Sequence, residues 1–157
     1  MGLFSSKKGN AGSLRSFSYC PGYCDTTGES HRAELKKNDD GGGVIICRDR
    51  DCHSDPFTVK TYIVSPESAY EFEEHIKKVN FISLSKRLKS NEFVTDFSPW
   101  HFSVVFDCSE IGGDSYDDYG ISQYRIYSPM DQKLMKEVKE KFYALKGELI
   151  SETTEED

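Results

Sequence analysis

The clearest alternation in the chain runs from His101 to Cys108, with Phe102, Val104 and Phe106 facing one way and His101, Ser103, Val105 and Asp107 the other. A period of two over that length predicts a strand with one face buried. Residues 14–24 (LRSFSYCPGYC) set Leu14, Ser16 and Ser18 against Arg15, Phe17 and Tyr19, which predicts a short strand stopped at Pro21-Gly22. Val44–Cys47 and Phe57–Val64 are apolar and β-branched, and the turn Asp49–Pro56 joins them as a hairpin. Ile121–Tyr127 is expected as a further strand. The polar stretch 25–43 offers a helical turn at His31–Lys37 before the breaker Asn38-Asp39-Asp40-Gly41-Gly42-Gly43.

Two segments switch to helical spacing. Ser65-Pro66 supplies an N-cap hydroxyl and a proline at the first helical position, and Ala69, Phe72, Ile76 and Val79 then share one face to about Asn80. Ser128-Pro129-Met130-Asp131 opens a second helix with a capping box. Its expected stripe is Leu134, Val138, Phe142, Leu145 and Leu149, with Glu137 and Lys141 as an i,i+4 pair. Phe81–Leu88 fits a short strand or a helical turn, and Asn91–Pro99 reads as a loop delivering Trp100. Tyr62-Ile63-Val64-Ser65-Pro66 and Arg125-Ile126-Tyr127-Ser128-Pro129 echo one another 63 residues apart. With or without duplication, the order is β-β-α, β-β-α.

These elements predict an α+β domain: an antiparallel sheet of four to five strands with two amphipathic helices packed on one face. Leu14–Tyr19 is expected as an edge strand tied to the hairpin by cysteines. Residues 1–13 read as a disordered tail, 14–150 as the single domain, and 151–157 as an acidic tail.

A chain of 157 residues buries roughly 70% of the surface its unfolded form exposes, so a core without disulfides suffices. Ten Phe and nine Tyr compensate for 36% hydrophobic content. The net charge is −7, and residues 1–42 carry six Lys/Arg against five Asp/Glu, so the acidity lies in the remainder. That balance argues against nucleic acid and favours a basic protein partner. No stretch is apolar enough to span a membrane, and no apolar run follows Lys7-Lys8, so a cytoplasmic location is expected. Met1-Gly2-Leu3-Phe4-Ser5-Ser6 matches the myristoylation pattern, so membrane contact is expected only if Gly2 is acylated.

Candidate chemistry centres on Cys20-Pro-Gly-Tyr-Cys24 and Cys47-Arg-Asp-Arg-Asp-Cys52-His53. Two pairs separated by 22 residues are admissible for a structural zinc site of Cys20, Cys24, Cys47 and Cys52, with His53 or His31 as substitute ligand. Incidental thiols, with Cys47 in the core, are the plainer reading, and disulfides between the pairs a third. An odd cysteine count and a reducing compartment weigh against disulfides. Neither pair has the C-x-x-C spacing of a redox dithiol. A Cys108–His101 pair fails because the two lie on opposite strand faces.

The carboxylates Asp107, Glu110, Asp114, Asp117 and Asp118 lack calcium-loop register and read as a solvated hairpin loop. Trp100 reads as a core plug beside Phe97, Phe93 and Tyr62, and His75 as a solvated helix residue. Phosphate-loop, dinucleotide, G-x-S-x-G and H-E-x-x-H motifs are absent.

Phe57–Asn80, Asp96-Phe97-Ser98-Pro99-Trp100 and the closing hairpin and helix to Glu148 resemble small α+β proteins of clostridial-type bacteria that carry no assigned activity. The resemblance implies a bacterial protein with an antiparallel sheet and transfers no functional residue. The expected function is a non-catalytic protein-binding module, with a zinc-stabilised module and a thiol-dependent enzyme as alternatives.

Overall fold

The computed structural model describes residues 12–24, 26–88, 97–98, 100–107, 116–122 and 125–156, with backbone alone at 23–24, 97–98 and 116–119. The expectations for Gly2, Cys108, the loop 109–115 and the approach to Trp100 through 91–96 and 99 lie outside the described residues.

The chain folds as α+β around a seven-stranded antiparallel sheet. Its strands are β1 (Leu14–Cys20), β3 (Ser30–Lys37), β4 (Gly43–Arg50), β5 (Phe57–Val64), β7 (His101–Asp107), β8 (Tyr116–Ser122) and β9 (Leu149–Glu155). The two-residue strands β2 (Tyr23–Cys24) and β6 (Phe97–Ser98) pair at one end. The spatial order β8-β7-β1-β3-β4-β5-β9 puts the hairpins β4–β5 and β7–β8 on either side of the β1–β3 pair. Each hairpin leads to a helix, α1 (Pro66–Lys78) or α2 (Pro129–Tyr143).

Both helix starts form as their sequences dictate. Ser65 is extended and its Oγ accepts the Ser68 N–H at 3.2 Å. At Ser128 the capping box closes in both directions, Asp131 N–H to Ser128 Oγ at 3.0 Å and Ser128 N–H to Asp131 Oδ2 at 3.1 Å.

Register decides which side chains meet. Phe17, Leu35, Ile45 and Tyr62 stand in one cross-strand row, and the first three are fully buried. Phe17 lies 5.0 Å from Phe72 of α1, 4.9 Å from Phe142 of α2 and 5.8 Å from Phe81, between ring centroids. Both helices and the 3-10 helix Phe81–Lys86 therefore cover the same face. Such ring clusters add directional contacts to the area they bury.

Several sequence expectations are corrected. Seven strands replace four or five, and a 3-10 helix joins the two α-helices. Leu14–Cys20 is interior, between β7 and β3, because both of its edges find partners. His31–Lys37 extends as β3: Ala33 and Leu35 enter the core while Arg32 and Lys36 stay exposed. The strand expected at Ile121–Tyr127 runs instead over Tyr116–Ser122. Helix α2 stops at Tyr143, so Leu149 belongs to β9, and Met135 rather than Leu134 completes its buried stripe with Val138 and Phe142. Residues 149–155, expected to close the domain and begin an acidic tail, pair with β5 as a strand.

Gly147 makes that last turn possible. Its N–H reaches the Ile63 carbonyl at 2.8 Å, and a Cβ there would sit 2.6 Å from the same oxygen.

Candidate functional site

Where β1, β7 and α2 converge, the fold leaves a cleft of about 570 Å³, within the range of ligand sites in proteins. Its apolar wall comes from Tyr19, Trp100, Phe102, Tyr127 and Met135. Tyr19 and Phe102 are cross-strand partners with ring centroids 4.6 Å apart, and Trp100 stands 5.9 Å from Tyr127. Trp100 is partly buried against the core, as a core plug should be, yet it also lines the cleft.

The polar side is cationic. Gln132, Lys136 and Lys139 project from α2 at four- and three-residue spacing, so they share a helix face. Lys139 Nζ lies 5.7 Å from the Tyr19 ring centroid, a cation–π distance. Neither lysine has an ion-pair partner among the described residues. Arg125 is the third cation, fixed by donating from Nη1 to the Arg87 carbonyl at 2.6 Å. Among the described residues, no carboxylate lines the cleft.

A polar clamp behind the site sets this geometry. Arg87 donates from Nε and Nη2 to Asp131 at 2.9 and 2.8 Å, a bidentate pair. Those bonds, with burial opposing them and the Ser128 cap reinforcing them, bring the Asp131 carboxyl down to about 2. Asp131 thereby closes the α2 cap and holds the residue that receives Arg125. Tyr127 donates to the Ser122 carbonyl at 2.8 Å, and burial pushes its hydroxyl above the usual tyrosine range. Burial also raises Tyr19, helped by the neighbouring Cys20.

Among the described residues, the thiols singled out for chemistry do not gather into one site. Cys47 shares a cross-strand row with Ala33 and Tyr19 on the helix-covered face, so Cys20, one residue past Tyr19, points to the opposite face. Both thiols are buried. Burial, outweighing nearby lysines, pushes the Cys47 thiol up, the reverse of what a thiol nucleophile needs. Cys52 sits in the turn after β4, 3.0 Å from Ser54 Oγ, and the Cys24 side chain lies outside the description. His53 is in the same turn, its N–H bound to the Thr27 carbonyl at 2.8 Å.

His31 keeps different company. Its Nδ1 is 2.8 Å from Asp49 and its Nε2 3.2 Å from Glu29. Partial burial opposes a charge on the ring, but the two carboxylates outweigh it and raise the pKa. One ligand atom from each of Glu29, His31 and Asp51 lies within 4.8 Å of the others, the one such group among the described residues. That trio could hold a divalent cation, while an imidazolium shared between Glu29 and Asp49 accounts for the ring's own hydrogen bonds. His75, expected to be solvated, is half-buried, and its Nε2 has no hydrogen-bond partner among the described residues.

Among the described residues, no helix is long and apolar enough to cross a membrane. Comparison with protein-family models, curated proteins and solved structures returns no match. The class defined by fold and site is thus an α+β domain with an aromatic and cationic cleft. Gln132, Lys136 and Lys139 were missed in sequence, where their helix-face spacing is indistinguishable from that of any solvated lysine face.

Proposed function

We propose that this chain is a non-catalytic binding module whose cleft takes an acidic segment of a protein partner. The supporting observation is Lys136 and Lys139, without ion-pair partners among the described residues, together with Arg125 above a wall of aromatic rings in an otherwise acidic protein. A carboxylate of the partner would sit among the three cations, and an apolar or aromatic side chain beside it would stack on Trp100 and Tyr127. Aromatic anchors flanked by cations are the residue types that carry most binding energy at interfaces. The buried Cys20 and Cys47, and the raised Cys47, weigh against a thiol-dependent enzyme. The cleft asks for acidic chemistry, whereas net charge alone favoured a basic partner. Local charge decides because surface fields fade over about 8 Å at physiological salt.

The test is an array of immobilised peptides graded from acidic to basic, probed with the full chain and with the Lys136→Glu/Lys139→Glu double variant. Retention confined to acidic peptides with an aromatic residue, and lost in the variant, supports the reading. Retention indifferent to peptide charge, or unchanged in the variant, rejects it.

A further inference from the structure

The strand β9 forms one end of the sheet, with β5 on its inner side and no strand pairing its outer side among the described residues. It is anchored, not frayed: Ile63 N–H bonds the Glu148 carbonyl at 2.9 Å, and the register with β5 runs from Tyr62↔Leu149 to Phe57↔Glu155. All seven of its residues are exposed.

Natural edge strands are usually blunted by lysine, proline, short length or a bulge. β9 has neither lysine nor proline, and its irregularity falls at Ile150, between the pairs Thr61↔Ser151 and Tyr62↔Leu149. Beyond it, Ser151–Glu155 runs in regular register. Among the described residues, no strand pairs the outward-facing amide and carbonyl groups that an extended backbone would meet there.

The charge along this edge selects the occupant. Glu148, Glu152, Glu155 and Glu156 lie within nine residues that contain no cation. From behind, Arg48 Nε reaches Glu155 at 3.2 Å and Lys60 is the register partner of Glu152, so the edge stays negative after both are counted. A second copy of the chain would bring four more carboxylates to the shared edge, which disfavours self-pairing. At the start of the strand Ile63, Leu149 and Ile150 are 48, 44 and 53% exposed, an apolar step beside the acidic run.

We infer that β9 is a docking edge for an extended basic segment of a protein partner. The segment adds as an eighth strand, with one lysine or arginine beside Glu152 on one face, another three residues away beside Glu155 on the other, and an apolar residue against Ile150. Main-chain bonds supply the adhesion in strand addition, and alternate side chains supply the selection. This surface is separate from the cleft, with β3, β4 and β5 between β1 and β9. It does not depend on what the cleft binds.

The test titrates the full chain with the heptapeptide Lys-Val-Val-Lys-Val-Val-Lys, and with its Glu-for-Lys counterpart, while amide hydrogen exchange is followed residue by residue. The basic peptide's lysines, at three-residue spacing, alternate faces as Glu152 and Glu155 do. The inference predicts saturable binding of the basic peptide, slowed exchange at alternate amides of Ser151–Glu155, and no response to the acidic peptide. Glu152→Lys/Glu155→Lys, two exposed positions whose exchange leaves the core intact, should weaken the basic peptide roughly tenfold or more. Protection centred elsewhere, equal binding of both peptides, an unaffected double variant, or no saturable binding overturns the inference. So does concentration-dependent self-association that protects the same amides, which would make β9 a copy-to-copy interface.

Discussion

Asp131→Asn is the sharpest single perturbation of the frame behind the cleft. The aspartate side chain is 9% exposed and accepts two bonds from Arg87 and one from the Ser128 N–H. Its carboxyl falls from 3.8 to about 2 in the folded protein. At about 1.4 kcal/mol per pKa unit that corresponds to about 2 kcal/mol, an upper figure because solvent reaches Arg87. Asparagine keeps the shape and loses the charge, so unfolding in urea, followed through Trp100 fluorescence, should show a deficit of about 1–2 kcal/mol at pH 7. The folded pKa is lowered, so this stabilisation is complete above the unfolded value of 3.8 and disappears as pH falls through about 2. Wild type and variant should therefore converge toward pH 2. A deficit below about 0.5 kcal/mol at pH 7, the scatter of ordinary surface changes, would refute the reasoning. A deficit undiminished at low pH would refute it as well.

Phe17→Ala removes the ring at which both helices and the 3-10 helix meet, and should cost about 3–5 kcal/mol by urea unfolding. Glu73, 9% exposed, is held by Lys37 at 2.8 Å and Lys77 at 2.9 Å. Burial alone would raise its carboxyl, but the two lysines prevail and lower it. Glu73→Gln should destabilise by about 2 kcal/mol near neutral pH, with the deficit fading as pH falls below the ordinary value of 4.5. Timed alkylation with mass mapping should label Cys52 before Cys20 and Cys47, the two buried thiols.

What sequence could reveal follows from how local each determinant is. The two Ser-Pro helix starts were legible because a cap is settled within four residues. The alternation of β7 was legible because one of its faces is wholly apolar. β3 was not: only Ala33 and Leu35 are buried, and Ala, Glu, Leu and Lys suit a helix until pairing with β1 and β4 overrides them. β9 exposes every side chain and is held by backbone bonds that no residue pattern announces. Cysteine spacing is compatible with one metal, and it carries no sign that register sets Cys47 on the helix-covered face and Cys20 on the other. The cleft draws Tyr19, Trp100, Arg125 and Lys136 from four stretches of chain, and only their three-dimensional assembly turns ordinary residues into a site.

The sole tryptophan lies in that cleft, which makes it a reporter for the binding proposal. The decisive measurement is Trp100 fluorescence during titration with an acidic peptide bearing one aromatic residue, for the full chain and for Lys136→Glu/Lys139→Glu. The account predicts a saturable change that weakens as salt is raised and is roughly tenfold weaker in the double variant. A flat titration, or a change that a basic peptide reproduces, would contradict it.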